Sequence, residues 1–382
     1  LIRFLTAGES HGKGLIGILE GVPAGLEIEA PYIDAQLRRR QAGYGRSERM
    51  RMQDDRVEIL SGVHHGKTTG APITLIIENN PDNQWYHEPA PGGQSPLKTA
   101  AAPRPGHADL TGYLKYGLYN ILDVSERASA RETAIRVALG SVARKFLEEC
   151  GIAIGSHVVR IGKIALTPSV HAQLFKKDIG KILARADASP VRCADRAVSL
   201  QMIRAIDKAI KKGDTLGGVI EILVDGLPVG LGSHTSWDKR ISADLARYLV
   251  SVPGIKAFEI GEGFKSAEVY GSEAQDEIIF RNNRYRRKTN HAGGIEGGMT
   301  NGERLILRVA MKPIPTIGRP LRSVDLKTKK TVAAPVFRAD ICAVPAAGIV
   351  AEAMAALCLM NAWLEKYGGD SMSEILPRIK KS

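Results

Sequence analysis

Apolar and polar positions along this chain follow two periods. Lys13 to Gly21, interrupted by Gly14 and Gly17, reads as β, and Ile73-Thr-Leu-Ile-Ile77 and Leu305-Ile-Leu-Arg-Val309 are also strand-like. Helical spacing takes over from about Ser129 to Glu149, where Ile135, Ala138, Leu139, Val142 and Phe146 share one face and Gly151 supplies a stop. A second long helix is predicted from Pro345, suited to a first helical turn, to about Tyr367 before Gly368-Gly369. Its apolar stretch from Ile341 to Leu364 approaches the ~20 residues of a membrane span, broken only by Pro345, Glu352 and Asn361. Glu352 at mid-span would be costly in lipid, so a helix buried at the centre of a large core is expected, and no membrane partner.

The pattern also repeats. Leu19-Glu-Gly-Val-Pro-Ala-Gly-Leu26 returns as Val224-Asp-Gly-Leu-Pro-Val-Gly-Leu231, and each copy precedes a helical spacing, Ile33, Ala35, Leu37 in one and Ile241, Ala243, Leu245 in the other. Gly66-Lys-Thr-Thr-Gly70 is echoed by Gly298-Met-Thr-Asn-Gly302, again just before a strand. Collinear echoes of this kind predict a duplicated unit with a pseudo-twofold relation and one shared core. The expected layout is a single unit over 1–366, with halves at about 1–150 and 213–366, a peripheral insertion at about 167–198, and a mobile tail at 367–382. The Pro-, Gly- and Asn-rich stretch 79–106 has the length of a functional loop or lid.

Composition narrows the class. With 382 residues, 44% apolar and 25% charged, the chain is ordinary globular material. A formal charge of +12 favours anionic partners, whether nucleic acid, acidic lipid or a small phosphorylated molecule. Cys150, Cys193, Cys342 and Cys358 are scattered without a CxxC pair, which argues against zinc or a disulfide framework and for a reducing compartment, the cytosol. The apolar run before Gly8 is too short for a signal peptide, and Leu1 in place of Met suggests a trimmed chain.

Three glycine motifs are decoys. Gly8-Glu-Ser-His-Gly12 fits the nucleophile elbow of serine hydrolases, but that elbow needs a following helix and an oxyanion donor from an earlier loop. Gly12-Lys-Gly14-Leu-Ile-Gly17 matches a dinucleotide fingerprint yet opens no helix. Gly62-Val-His-His-Gly66-Lys-Thr68 has one residue too few between its glycines for a P-loop.

The run from Arg38-Arg39-Arg40 through Gly43, Gly45, Arg46, Arg49 and Arg51 is either solvated surface or a pocket for a small, multiply charged anion, since guanidinium groups grip phosphate and carboxylate as a fork. RNA binding would bring stacking aromatics, and only Tyr44 lies in the run, so no nucleic-acid partner is expected. His11 and His107 sit beside glycines in turns where a ring nitrogen can face a cleft and titrate near neutrality. No HExxH-like spacing occurs, so no metal is expected. Glu126-Arg-Ala-Ser-Ala-Arg131-Glu-Thr133 offers arginines and backbone donors at a helix start, where an anion is favoured; an N-cap would explain Ser129 alone. Gly293 to Gly298 and Lys312-Pro-Ile-Pro-Thr316 are either loop punctuation or a close approach to a planar ligand. Arg338-Ala-Asp340 before the second long helix is a structural ion pair or a site.

Taken together, Gly8 to Pro23, Glu126 to Thr133 and Arg338 to Pro345, with Arg38 to Arg46, Arg104-Pro-Gly-His-Ala-Asp109, Gly293 to Gly302 and Lys312 to Thr316 between them in order, resemble chorismate synthase over about residues 1–366. The resemblance implies an α+β fold, a helical layer sandwiched between antiparallel sheets, and a homotetramer. It implies conversion of 5-enolpyruvylshikimate 3-phosphate to chorismate, the seventh step of the shikimate pathway to aromatic amino acids: a carbon–oxygen lyase performing anti-1,4-elimination of phosphate with reduced FMN and no net oxidation. His11 and His107 would be general acids, and Asp340 would assist proton removal through the flavin. Arg40, Arg46, Arg49 and Arg131 would hold substrate anions or NADP. FMN contacts would come from Arg127, Ala128, Ser129, Pro253, Gly254, Gly297, Lys312, Pro313, Ile314, Pro315, Thr316 and Arg338. Pro253-Gly254 stands where many relatives read Asn-Ala, which leaves side-chain contacts there open. No flavin-reductase domain is visible in the sequence, which favours externally reduced FMN, with NADPH near Arg40 and Arg46 as the alternative.

Overall fold

The computed structural model describes residues 1–47, 54–80, 102–118, 120–175, 177–336 and 339–379. Most of the 79–106 stretch expected to be a lid, together with Arg49, Arg51 and Arg338, lies outside them.

Strands β1 (Arg3–Gly8), β2 (Gly14–Glu20), β3 (Glu58–Ser61) and β4 (Ile73–Glu78) form an antiparallel sheet in the order β1-β2-β4-β3. A second antiparallel sheet orders β8-β9-β7-β5-β6, from β5 (Ala153–Ile161), β6 (Ile164–Ala165), β7 (Gly218–Asp225), β8 (Ile255–Ile260) and β9 (Leu305–Met311). Alternation explains how the first sheet sits: Leu15 and Leu19 of β2 are buried while Ile16 and Ile18 face outward.

The main helices are α1 (Ala30–Gln41), α2 (Asp109–Tyr116), α3 (Ile121–Arg127), α4 (Thr133–Glu149), α5 (Pro168–Phe175), α6 (Ile179–Asp187), α7 (Arg196–Lys212), α8 (Ile241–Val250), α9 (Val344–Tyr367) and α10 (Met372–Ile379). The first sheet packs on α4, the second on α9, and α4 and α9 pack on each other. Gly17 lets α4 approach β2, since a Cβ there would lie 2.7 Å from Ile135 and 2.9 Å from Leu139. Gly140 does the same between the helices, where a Cβ would meet Ala353 at 2.4 Å. Pro345 opens α9 as expected, and 94% of its most apolar window is buried inside the protein. Its charge at mid-helix is matched: Glu352 accepts hydrogen bonds from Arg39, Arg144, Arg192 and Ser156. Buried side chains from both sheets and α1, α4, α8 and α9 form one continuous apolar core.

The echoed turns share a local geometry. Gly25 and Gly230 have φ of 85° and 84°, a left-handed conformation that favours glycine. The Thr68 hydroxyl donates to Pro23 O and accepts from Leu26 N–H; that of Thr300 donates to Pro228 O and accepts from Leu231 N–H.

Three differences from the sequence-based layout stand out. The second sheet recruits β5, so its half begins near 153 rather than 213, with the insertion looping out after its first strand. That insertion covers the outer face of the second sheet, where Leu174, Ile179 and Ile182 pack with Leu223 and Ile306. In place of a mobile tail, Met372 N–H donates to Ala24 O at 2.8 Å and α10 buries Ile375 completely.

Candidate functional site

The β1–β2 connection, Glu9 to Lys13, has one internal backbone hydrogen bond, Gly12 N–H to Glu9 O, and is otherwise fixed from outside. Asn79, just past β4, donates from Nδ2 to Glu9 O at 3.0 Å and Gly12 O at 2.9 Å, and its N–H reaches Lys13 O. The connected strands are antiparallel and no helix follows, which excludes the hydrolase elbow and the dinucleotide fingerprint. His11 is held twice by buried Glu126: its backbone N–H donates to Oε2 at 2.7 Å, and its Nδ1 lies 2.8 Å from Oε1. Ser10 N–H donates to Glu126 O, and the Ser129 hydroxyl donates to that of Ser10.

Ser125, one residue earlier on α3, holds the other histidine's frame. Asp109, the first residue of α2, accepts from the Ser125 hydroxyl at 2.8 Å, from Arg104 Nε at 2.8 Å and from Arg104 Nη2 at 3.0 Å, and its Oδ1 lies 2.6 Å from His107 Nδ1. Burial works against the Asp109 carboxylate, yet hydrogen bonds from His107 and Arg104 outweigh it and hold its pKa well below the usual range. Adjacent residues of one helical turn therefore anchor both His11 and His107. The 104–109 turn docks on the 312–316 segment: Lys312 Nζ donates to Gly106 O, and Arg104 Nη1 reaches Thr316 Oγ1 at 3.5 Å. Pro253-Gly254 adjoins it, since Lys312 N–H donates to Gly254 O at 2.9 Å.

A cationic nest completes this end of the helix layer. Arg131, in the turn before α4, donates to Asn79 Oδ1 at 2.9 Å and to Asp55 Oδ1 at 2.7 Å. Arg40, from the last turn of α1, donates to Thr133 Oγ1 and Ala130 O and lies 3.6 Å from Asp55. Arg46 pairs with Asp340 at 2.8 Å, and Ser47 N–H donates to Asp340 Oδ1 at 2.7 Å. The balance is incomplete: three guanidiniums face two carboxylates, Arg40 Nη1 only approaches Asp55 Oδ2 at 3.6 Å, and Arg46 Nε is buried without a hydrogen-bond acceptor among the described residues. Burial and the neighbouring Arg46 guanidinium push the Arg40 pKa down, as expected of a cation whose counter-charge is too small. Such orphan donors suit an anion.

The chain matches the family model described as chorismate synthase over residues 2–364. Curated relatives named chorismate synthase include those of Carboxydothermus hydrogenoformans, 50% identical over 98% of this chain and 96% of the relative, and of Alkaliphilus metalliredigens, 51% identical over 98% and 97%. A crystal structure of chorismate synthase superposes with a TM-score of 0.80 at 40% identity, covering 100% of this chain and 96% of that one.

The chain belongs to the chorismate synthase family.

Among the residues that this membership had suggested from sequence, the structure links most into one network. His11, His107, Arg40, Arg131 and Ser129 are joined through Asn79, Asp55 and α3, the Arg46–Asp340 pair lies within electrostatic reach of Arg40, and Lys312 to Thr316 with Pro253-Gly254 dock on the His107 turn. Two residues stand apart. Arg127 turns to the first sheet, donating to Gly8 O at 3.2 Å and Thr6 O at 2.8 Å. Gly297 lies in the Ile295–Thr300 turn at the start of α8, where a Cβ would find Met299 and His234. Sequence reasoning assigned nothing to Asp55, Asn79, Arg104, Asp109, Ser125 or Glu126. Of these, Asp109 and Glu126 were within reach, being carboxylates in the same motifs as the two histidines or beside them in order; Asp55 and Asn79 carry no local signal.

Proposed function

We propose that this protein is a chorismate synthase in activity: it eliminates phosphate and a ring hydrogen, anti-1,4, from 5-enolpyruvylshikimate 3-phosphate to give chorismate. The observation that carries this is the charge excess of the nest, three buried guanidiniums of Arg40, Arg46 and Arg131 against the two carboxylates of Asp55 and Asp340, with Arg46 Nε lacking an acceptor among the described residues. A substrate with two carboxylates and a phosphate supplies the missing acceptors. His107, beside the cationic Lys312 and Arg104, is suited to deliver a proton to the departing phosphate. His11 would serve as the second acid, and Asp340, held by Arg46 and Ser47 N–H, would assist proton removal through the flavin.

Reduced FMN is the proposed cofactor. Pro253, Gly254 and the Lys312–Thr316 run lie together beside the His107 turn, where Lys312 would offer a cation for its phosphate, and Ser129 lies against Ser10 next to His11. When bound, the flavin lends electron density transiently and regains it. NADPH at Arg40 and Arg46 remains the competing ligand. Exposed Leu5, Ile16 and Ile18 on the first sheet support self-association into a tetramer, and four buried thiols suit a reducing cytoplasm. The shared strand order and the twin threonine turns support a duplicated β-α-β sandwich.

Anaerobic protein with reduced FMN and substrate is expected to release phosphate and form chorismate. His107→Ala is expected to lower kcat by about 10²–10⁴-fold while the circular dichroism spectrum stays native. Absence of phosphate release by the unmodified protein would overturn the proposal.

A further inference from the structure

We infer that Asp109 is a positioning residue for His107, a carboxylate clamped by Arg104 and Ser125 that accepts the Nδ1–H hydrogen bond and leaves Nε2 as the nitrogen that exchanges a proton. This rests on the function proposed above. Asp109 is 1% exposed and receives bonds on both oxygens: Oδ1 from His107 Nδ1, Arg104 Nη2 and Ser125, Oδ2 from Arg104 Nε and from Arg104 backbone N–H at 3.0 Å. A carboxylate so held cannot rotate to release the ring. An ionised carboxylate only accepts, and the two hydrogens of Arg104 Nη2 go to Asp109 Oδ1 at 3.0 Å and the Ser125 hydroxyl at 2.8 Å, so the 2.6 Å contact is filled by a proton on Nδ1. The other nitrogen is then the only one that can exchange a proton with a ligand.

The charges facing His107 make this more than an anchor. Arg104 Nη2 lies 3.1 Å from His107 Nδ1, and Lys312 is bonded to the neighbouring Gly106 O. Asp109 is the anion that offsets them. The arrangement parallels the carboxylate behind the histidine of hydrolytic triads, where an amide replacement leaves the geometry but imposes the wrong tautomer.

Two measurements test this. Ring-nitrogen NMR of histidine-labelled wild-type protein, without flavin or substrate, is expected to show His107 protonated at Nδ1 throughout the titration. In Asp109→Asn, kcat is expected to fall on the order of 10³-fold with KM changed less than about threefold. Its high-pH loss of rate should move to lower pH, because removing the anion makes the protonated acid harder to keep. Asp109→Glu is expected to recover part of the rate. A wild-type neutral ring carrying its proton on Nε2 overturns the inference, whether or not the variants fold. So does an Asp109→Asn profile superimposable on wild type while His107→Ala is inactive, a result that leaves the proposed function intact. No phosphate release by wild type defeats that function instead, and the NMR result then stands alone.

Discussion

At the scale of single residues, burial decides which groups can react. All four cysteines are free and buried, and burial pushes their thiols up, Cys193 to about 11, Cys150 and Cys342 to about 12, and Cys358 further. A thiol reagent at pH 8 is expected to leave the folded protein unmodified and to count four thiols in denaturant; rapid labelling of the native protein would contradict this burial. Histidine shows the opposite logic. His11 and His107 stand beside glycine-bearing turns, which the sequence displays, but what defines them is a carboxylate from Glu126 or Asp109 on Nδ1. The glycines were legible; the partners required the turn to close on itself or α3 to arrive from elsewhere.

Between elements, the deciding contact is Glu352 in the middle of α9. Its apolar surroundings led to a correct expectation of a core helix, because a charge at that point needs partners that lipid cannot offer. Burial disfavours its carboxylate, but Arg39, Arg192 and Arg144 overcome that and pull its pKa from 4.5 down to about 2. The pKa is depressed on folding, so this stabilisation is fully present above about pH 4.5 and is lost as pH falls toward 2. Glu352→Gln is expected to cost about 3 kcal/mol at neutral pH, since buried Arg192 and the partly buried Arg39 and Arg144 lose their shared carboxylate and keep only Asp187 or Glu148. It should also flatten the acid limb of the stability curve, as read from urea midpoints between pH 5 and 2.5. An unchanged midpoint at pH 7 would show that the cluster holds together without the carboxylate. Gly140 and Gly17 set how closely α4 approaches α9 and β2, a requirement no helical periodicity could reveal.

For the molecule as a whole, two halves with one strand order meet in one core. If they are the copies that the echoed segments suggest, Thr68→Val and Thr300→Val should cost similar amounts, about 1–3 kcal/mol each, because each removes the same pair of buried turn hydrogen bonds. Denaturant midpoints of the two variants check this; a loss confined to one turn would count against equivalence. The sequence alone determined both long central helices, the strands with clean alternation and the paired glycine turns, because each is written in residues close in the chain. It left β5 unread, since Gly155, Ser156 and His157 interrupt its apolar pattern although all are buried. It also read residues beyond 367 as a tail, when Ile375 finds a buried seat beyond α9. Only the tertiary structure decided that Asp340, Arg46, Arg40, Arg131 and Asn79 join the histidines at one end of the helix layer. Their separation in sequence carries no trace of that meeting, because electrostatic and hydrogen-bond partners are selected by distance in space.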